Sequence, residues 1–231
     1  MADGVKLMKD ALPGLIEYLP MTLYFLIVPS IISLILGSII CAIRVGRKNV
    51  LYRITSVFVS FFRGTPSLVQ LYLVLYGLPK LFEIFGVNIN RWSAATFFVI
   101  ATVLNFSSFV SEALRGAYLA MDHGQIEAGY SIGYSRWQCL VHVIVPQTLQ
   151  IALPNLKNLE IDLLKGTALA YTIGAVEVLG YAHRLIAINS GAGRMWVLLA
   201  AAILYFLINV VLEVLFNLLT KHYSKYERSL A

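Results

Sequence analysis

The chain has 231 residues, of which 59% are hydrophobic and only 13% charged, with a formal net charge of +6 and a mean hydropathy of +0.77. Soluble domains carry about 25% charged residues, so this composition excludes an ordinary soluble globular domain and implies a chain solvated by lipid. The positive charge is small and scattered over loops, which excludes a nucleic-acid surface and instead marks topology.

At about 20 apolar residues per crossing, the length suffices for five or so membrane helices with short connections. No cleavable signal peptide is evident, because the first apolar stretch begins late and is followed by a basic loop instead of a cleavage site. In chain order, residues 5–18 predict a short amphipathic outer helix leading to Pro20. The first span runs from Met21 to Ile43 and ends in Arg44, Arg47, Lys48 and Arg53, the densest basic cluster of the chain. The positive-inside rule then places that loop in the cytoplasm and the N-terminus outside. A long second span, Ile54 to Ile84, is expected to tilt or to break at Gly77 or Pro79. Residues 85–93 form a short outer turn with Trp92 suited to the interface, and Ala94 to Val110 returns the chain inside. The fourth span is expected over Asn155 to Leu179, residues 181–194 as an outer loop, and the fifth over Met195 to Leu219. A basic tail at 221–231 carries Lys221, Lys225 and Arg228, giving one membrane domain over 21–220 with the C-terminus inside. Cys41 and Cys139 fall near or inside the cytoplasmic face, so a structural disulfide is not expected.

Residues 112–146 are a polar loop inside this apolar chain, with their own helix punctuation. Asp122 with Gln125, and Ser135 with Gln138, have the spacing of capping boxes. Gly133 falls where a left-handed residue would end the first of two short helices, and Pro146 is expected to close the second. On residue types alone this is a capped loop helix whose Glu127 is solvated. The spacing says more. Glu127-Ala128-Gly129, then Gly133, then Val143-Ile144-Val145-Pro146 resemble the EAA loop of bacterial ABC importer permeases, with Gly129, Val143 and Val145 in place of the usual Ala, Ile and Leu.

The resemblance continues outside the loop. Arg63-Gly64-Thr65-Pro66 with Val69-Gln70-Leu71, and Val145-Pro146-Gln147 with Ala152-Leu153-Pro154, Asn158 and Leu163-Leu164-Lys165, are similar to the permeases for polar amino acids. Such a resemblance implies an all-α, multi-pass permease of the bacterial inner membrane that catalyses nothing itself. It also implies a second permease subunit, two cytoplasmic ABC ATPases that bind ATP and Mg, and an extracytoplasmic solute-binding protein. The chain has no G-x-x-x-x-G-K-[ST] phosphate loop of its own. Loop 122–146 is then the ATPase-coupling element, with Glu127 as a hydrogen-bond acceptor, Ala128 and Gly129 allowing close helix contact, Gly133 making the turn and Pro146 ending the motif. Overall resemblance favours cystine or another neutral or zwitterionic amino acid.

A second constellation lies on the fourth span. Asn155, Asn158, Asp162 and Lys165, spaced three, four and three apart, share one helix face, and Gly166-Thr167 follows where the helix would loosen. Ionisable groups at such depth are expensive and usually functional, so Asn158, Asp162, Lys165 and Thr167 are candidates for a substrate pathway. The residues equally fit an Asp162–Lys165 pair that only fixes helix packing. Related permeases often carry Glu directly after the Asn matched by Asn158, and the usual Asp after Leu-Leu-Lys; here Leu159 and Gly166 stand there, with Glu160 on another face. That departure disfavours a cation-preferring pocket.

Glu112 and Arg115 are expected as boundary charges, Glu177 as an interfacial carboxylate or a gate residue, and Glu213 as a helix–helix hydrogen bonder with Asn217. His123, His142, His183 and His222 show no metal-ligand spacing, and no cofactor is assigned to the chain. Other readings are a permease for an osmolyte or opine, and, from another class, an intramembrane enzyme or channel subunit. An enzyme needs paired catalytic groups, and no Ser/His, H-E-x-x-H or paired-carboxylate signature is present.

Overall fold

The computed structural model describes residues 2–228, with side-chain surroundings for residues 6–221 and 223. The described residues form helices α1 (Ala2–Glu17), α2 (Leu19–Val45), α3 (Val50–Gly64), α4 (Ser67–Glu83), α5 (Ala94–Ala120), α6 (Gly124–Ser131), α7 (Arg136–Cys139), α8 (Val145–Gly166), α9 (Val178–Ile188) and α10 (Arg194–Arg228). Residues Leu140–Ile144 form a π-turn between α7 and α8, and Thr167–Ile173 a 3₁₀ segment after α8. Four helical runs are long and apolar enough to cross a membrane, and the α3–α4 pair makes a fifth as a broken span.

The bundle is built around α2 and α5. Both have 27 residues, about 40 Å at 1.5 Å per residue, more than the hydrocarbon thickness. Lipid supplies no hydrophobic drive between helices, so small residues set the contact. A Cβ on Gly37 would lie 2.7 Å from Val110 Cγ1, so only glycine allows α2 this close to α5. Ser33 Oγ donates to Val103 O at 3.2 Å across the same seam, and Ser107, Ser108 and Ser111 of α5 are fully buried. Three apolar clusters complete the packing. One gathers α2, α5 and α8 with the second half of α10, one gathers α1 and α9 with the first half of α10, and one gathers α4 with the first halves of α2 and α5.

Four sequence expectations change. The break in the second span is at Thr65-Pro66, where the axes of α3 and α4 turn through 115°; Gly77 and Pro79 lie inside α4. Thr65, as the residue before a proline, is extended at φ −117°, ψ 150° and cannot continue the helix. Pro146 does not end a helix. It lies at the start of α8, directly after the π-turn, where the local change in hydrogen-bonding register accommodates a residue without an N–H, and residues 136–173 run as one span. Residues 181–194 are not simply a loop, because Val178–Ile188 is helical and packs on α1 and α10. The third span extends past Val110 to Ala120, so Glu112 and Arg115 are helical residues. The basic tail continues α10 as helix to Arg228, and residues 229–231 lie outside the described residues.

Candidate functional site

The loop between α5 and α8 folds as a helical knob. Asp122 does not form a capping box; its Oδ1 accepts from Gly124 N at 2.9 Å and His123 is the residue before α6. The second box is present: Ser135 Oγ accepts from Gln138 N at 3.3 Å, and Gln138 Oε1 accepts from Ser135 N at 2.8 Å. Gly133 joins the two helices at φ +91°, with nothing within 4 Å of the position of a Cβ. Its requirement is therefore conformational and not steric. Cys139, fully buried, seats α6 against α7, its Sγ 3.4 Å from where a Cβ on Gly129 would be. An alanine at Gly129 would make ordinary contact there, which agrees with the EAA pattern.

Glu127 and Ala128 are exposed and Gly129 is buried. Sequence reasoning missed the rest of the knob's outer surface. Ile132 is 73% and Trp137 71% exposed, with Tyr130 beside them at 47%. Apolar side chains on both sides of Gly133, in a stretch otherwise polar, were the available signal. An exposed apolar patch with a carboxylate at its edge is suited to a protein partner.

A cavity of about 200 Å³ opens between α4, α5 and α8, lined by Ser67, Thr102, Asn105, Phe109, Asp162 and Gly166 among others. Its wall is tied to the α3–α4 break. Gln70 Nε2 donates to Phe62 O, Thr65 O and Thr65 Oγ1 at 2.9, 2.9 and 2.7 Å, which satisfies the last carbonyls of α3. Asn105 Nδ2 donates to Gln70 Oε1 at 2.7 Å. The backbone carbonyl of Asn105 accepts from Ser108 Oγ at 2.6 Å, whereas its side-chain Oδ1 has no partner among the described residues, and Asn105 lines the cavity.

Asn155, Asn158, Asp162 and Lys165 all lie on the exposed face of α8, as the spacing requires. Lys165 Nζ is 3.3 Å from Asp162 Oδ1, with both side chains about 70% exposed. Thr167 lies apart from them. It is fully buried, and its hydroxyl donates to Leu164 O at 2.8 Å and meets Tyr205 Oη at 3.3 Å. The helix changes from α to 3₁₀ at this residue. Glu160 points to another face, accepting from Ser30 Oγ at 2.5 Å.

Glu177 is not interfacial. It is fully buried and caps α9, accepting from Gly180 N at 2.9 Å, from Tyr205 Oη at 2.6 Å and from Thr22 Oγ1 at 3.2 Å. Glu112 likewise exceeds a boundary charge. It bridges Arg44 at 2.5 Å and Arg115, with Arg63 at 4.0 Å, and so joins the ends of α2, α3 and α5. Glu213 accepts from Asn209 Nδ2 at 3.5 Å, one turn before it, instead of from Asn217.

Membrane-crossing helices around a largely apolar cavity that also presents Ser67, Thr102, Asn105 and Asp162, with a structured knob between two of them, define a transport subunit of permease type. Residues 33–225 match the family described as binding-protein-dependent transport system inner membrane component, and the chain belongs to it. It is 39% identical over 89% of its length, and 89% of the relative's, to a probable amino-acid ABC transporter permease protein, PatM, of Vibrio harveyi. It is 33% identical to the L-cystine transport system permease protein TcyL of Bacillus subtilis, over 97% of this chain and 93% of TcyL. The crystal structure of an amino acid ABC transporter with histidines superposes with a TM-score of 0.79 at 29% identity, covering 93% of this chain and 96% of that one. The chain is therefore a multi-pass inner-membrane permease subunit of an ABC importer and not its enzyme; the ATPase is a separate subunit, and a solute-binding protein is the other partner the family implies.

Proposed function

We propose that this permease moves a small polar amino acid, neutral or zwitterionic, through a pathway that includes the cavity between α4, α5 and α8. What supports this reading is that Asp162 of α8 and Asn105 of α5, whose side-chain Oδ1 has no partner among the described residues, line the same cavity. Both accept hydrogen bonds, as a substrate ammonium requires, while Ser67 offers a hydroxyl donor to the carboxylate. Asn158 and Lys165 extend the polar face of α8 along the same pathway. Thr167 contributes through the backbone it anchors to α10. Glu160 is held by Ser30 on α2, so it presents no carboxylate for a cationic side chain. Permeases for cystine and for glutamine are both among the relatives of this chain, and both solutes have the required charge balance.

In the proposed assembly the end of the bundle that carries Arg44, Arg47 and Lys48 faces the cytoplasm, with the N-terminus outside. Two permease subunits form the pathway, each knob is held by one of two ATPases that bind ATP and Mg, and the binding protein docks on the outer face. Glu127, Ala128, Gly129 and Gly133, with Ile132 and Trp137, form the coupling surface; Pro146 begins the helix that carries its motion to the cavity.

The test is uptake by the reconstituted complex with Asp162→Asn. Uptake should fall at least about tenfold, the effect of about 1.4 kcal/mol, with basal ATP hydrolysis retained. Full uptake from a well-assembled variant would reject this cavity as the pathway.

A further inference from the structure

A second cavity, about 370 Å³, lies beside the coupling knob and apart from the pathway. Ala42 and Val45 of α2, Leu114 of α5, and Leu140, Ile144 and Leu149 around the π-turn give it an apolar lining. Thr148 also lines it, 9% exposed, and its hydroxyl has no hydrogen-bond partner among the described residues. Three features specify an occupant. First, the cavity opens through Ser38 and Ala42, which continue the exposed stripe Ile31, Ile35 and Ile39 of α2. That stripe is all aliphatic, as a surface against acyl chains should be. Second, exposed Arg47 and Lys48 come two and three residues after Val45, and exposed Arg136 precedes Leu140 by one helical turn, on the same side of its helix. Third, none of these three cations forms an ion pair among the described residues. An apolar slot with free cations at its mouth is complementary to an amphiphile with an anionic head.

We infer that this groove binds one anionic phospholipid, its acyl chain between α2 and the π-turn and its phosphate at Arg47, Lys48 and Arg136. The lipid bridges α2 to the segment that joins the coupling knob to α8. It therefore acts as a packing element between the membrane core and the part the ATPase holds. The Thr148 hydroxyl supplies a polar group inside the slot, in reach of a glycerol ester carbonyl.

Native mass spectrometry of the intact complex, with phosphatidylglycerol or phosphatidylcholine added in detergent, tests this. Phosphatidylglycerol should be retained on the wild type in preference to phosphatidylcholine. Arg47→Gln, Lys48→Gln and Arg136→Gln together should weaken that retention by about tenfold or more, since each basic group near a membrane surface contributes to anionic-lipid attraction. Ala42→Trp, which fills the slot and leaves the cations, should do the same. Equal retention of phosphatidylglycerol by the triple variant would overturn the proposal. So would an efficient Ser38→Cys disulfide between two permease copies in membranes, because it would place the groove in the subunit interface instead of against lipid.

Discussion

Asn105 and Gln70 share a 2.7 Å hydrogen bond that fastens the cavity wall to the break between α3 and α4. Gln70 is 2% exposed and comes from α4, yet its amide nitrogen serves the last carbonyls of α3. One side chain thus sets the corner of the broken span and holds the Asn105 amide nitrogen, leaving the Asn105 side-chain Oδ1 without a partner among the described residues.

Replacing Gln70 with leucine keeps the bulk and removes all of these bonds. Each buried polar group left unpaired costs about 1–3 kcal/mol; Thr65 O loses its donor, and Phe62 O and the Asn105 amide keep only the 3.4 Å bond to each other. Gln70→Leu should lower the melting temperature of the purified permease and reduce uptake even where protein remains. An unchanged melting temperature would show that the corner is held by something else.

Glu177 makes a second such node, joining α2, α9 and α10 through Thr22, its own cap and Tyr205. A glutamine can reproduce it: its carbonyl accepts from Gly180 N, and its amino group donates to the two hydroxyl oxygens. Glu177→Gln is therefore expected to keep expression and uptake, whereas Glu177→Leu strands the Gly180 amide, takes the acceptor from the Thr22 and Tyr205 hydroxyls and should sharply reduce folded protein. Tyr205→Phe, which removes the hydrogen bonds to Glu177 and Thr167, should cost about 1–3 kcal/mol. Thermal unfolding of the three variants side by side gives the order, and equal losses for the Gln and Leu variants would contradict it.

At Gly133 the positive φ predicts a dependence on conformation and not on size. Gly133→Val should disrupt the turn between α6 and α7 and lower coupled uptake, while Gly133→Asn, which tolerates the left-handed region, should be much milder. Uptake at equal membrane protein levels measures both. Loss from Asn as large as from Val would point to crowding, for which the structure has no neighbour within 4 Å.

The EAA spacing made the knob legible because the Ser135–Gln138 cap and the one left-handed glycine are local, and local chemistry is written in short stretches of sequence. The five crossings were legible from hydropathy for the same reason. What the sequence hid depends on partners far along the chain. Glu177 looks interfacial until Thr22 and Tyr205, 155 and 28 residues away, are seen to surround it. The break went to Thr65-Pro66 instead of Gly77 or Pro79 because Gln70 rewards the corner there, and no periodicity reveals that. Helix α9 does carry a readable pattern, with Val178, Ala182 and Ile186 buried at four-residue spacing. Its 11 residues are too few for a crossing, so a hydropathy reading passes it over as loop.

Topology can be read with two single cysteines. Cys139 itself is fully buried and should resist reagents from either side. Asn90→Cys and Arg53→Cys are both at exposed positions, the second outside the coupling knob. With the N-terminus outside, a membrane-impermeant maleimide should label the first in intact cells and the second only in inverted vesicles. The reverse pattern would overturn the orientation drawn from the basic loops.

The affinity of the purified permease for its ATPase tests directly whether the knob is the surface that the ATPase grips. Ile132 and Trp137 are 73% and 71% exposed, so changing them leaves the fold of the permease intact. An exposed tryptophan at the centre of an interface typically contributes about 2 kcal/mol or more when truncated. Trp137→Ala with Ile132→Ser should therefore weaken ATPase binding by at least about tenfold in a titrated pull-down. Unchanged affinity in that variant would contradict the assignment of residues 122–146 as the coupling element.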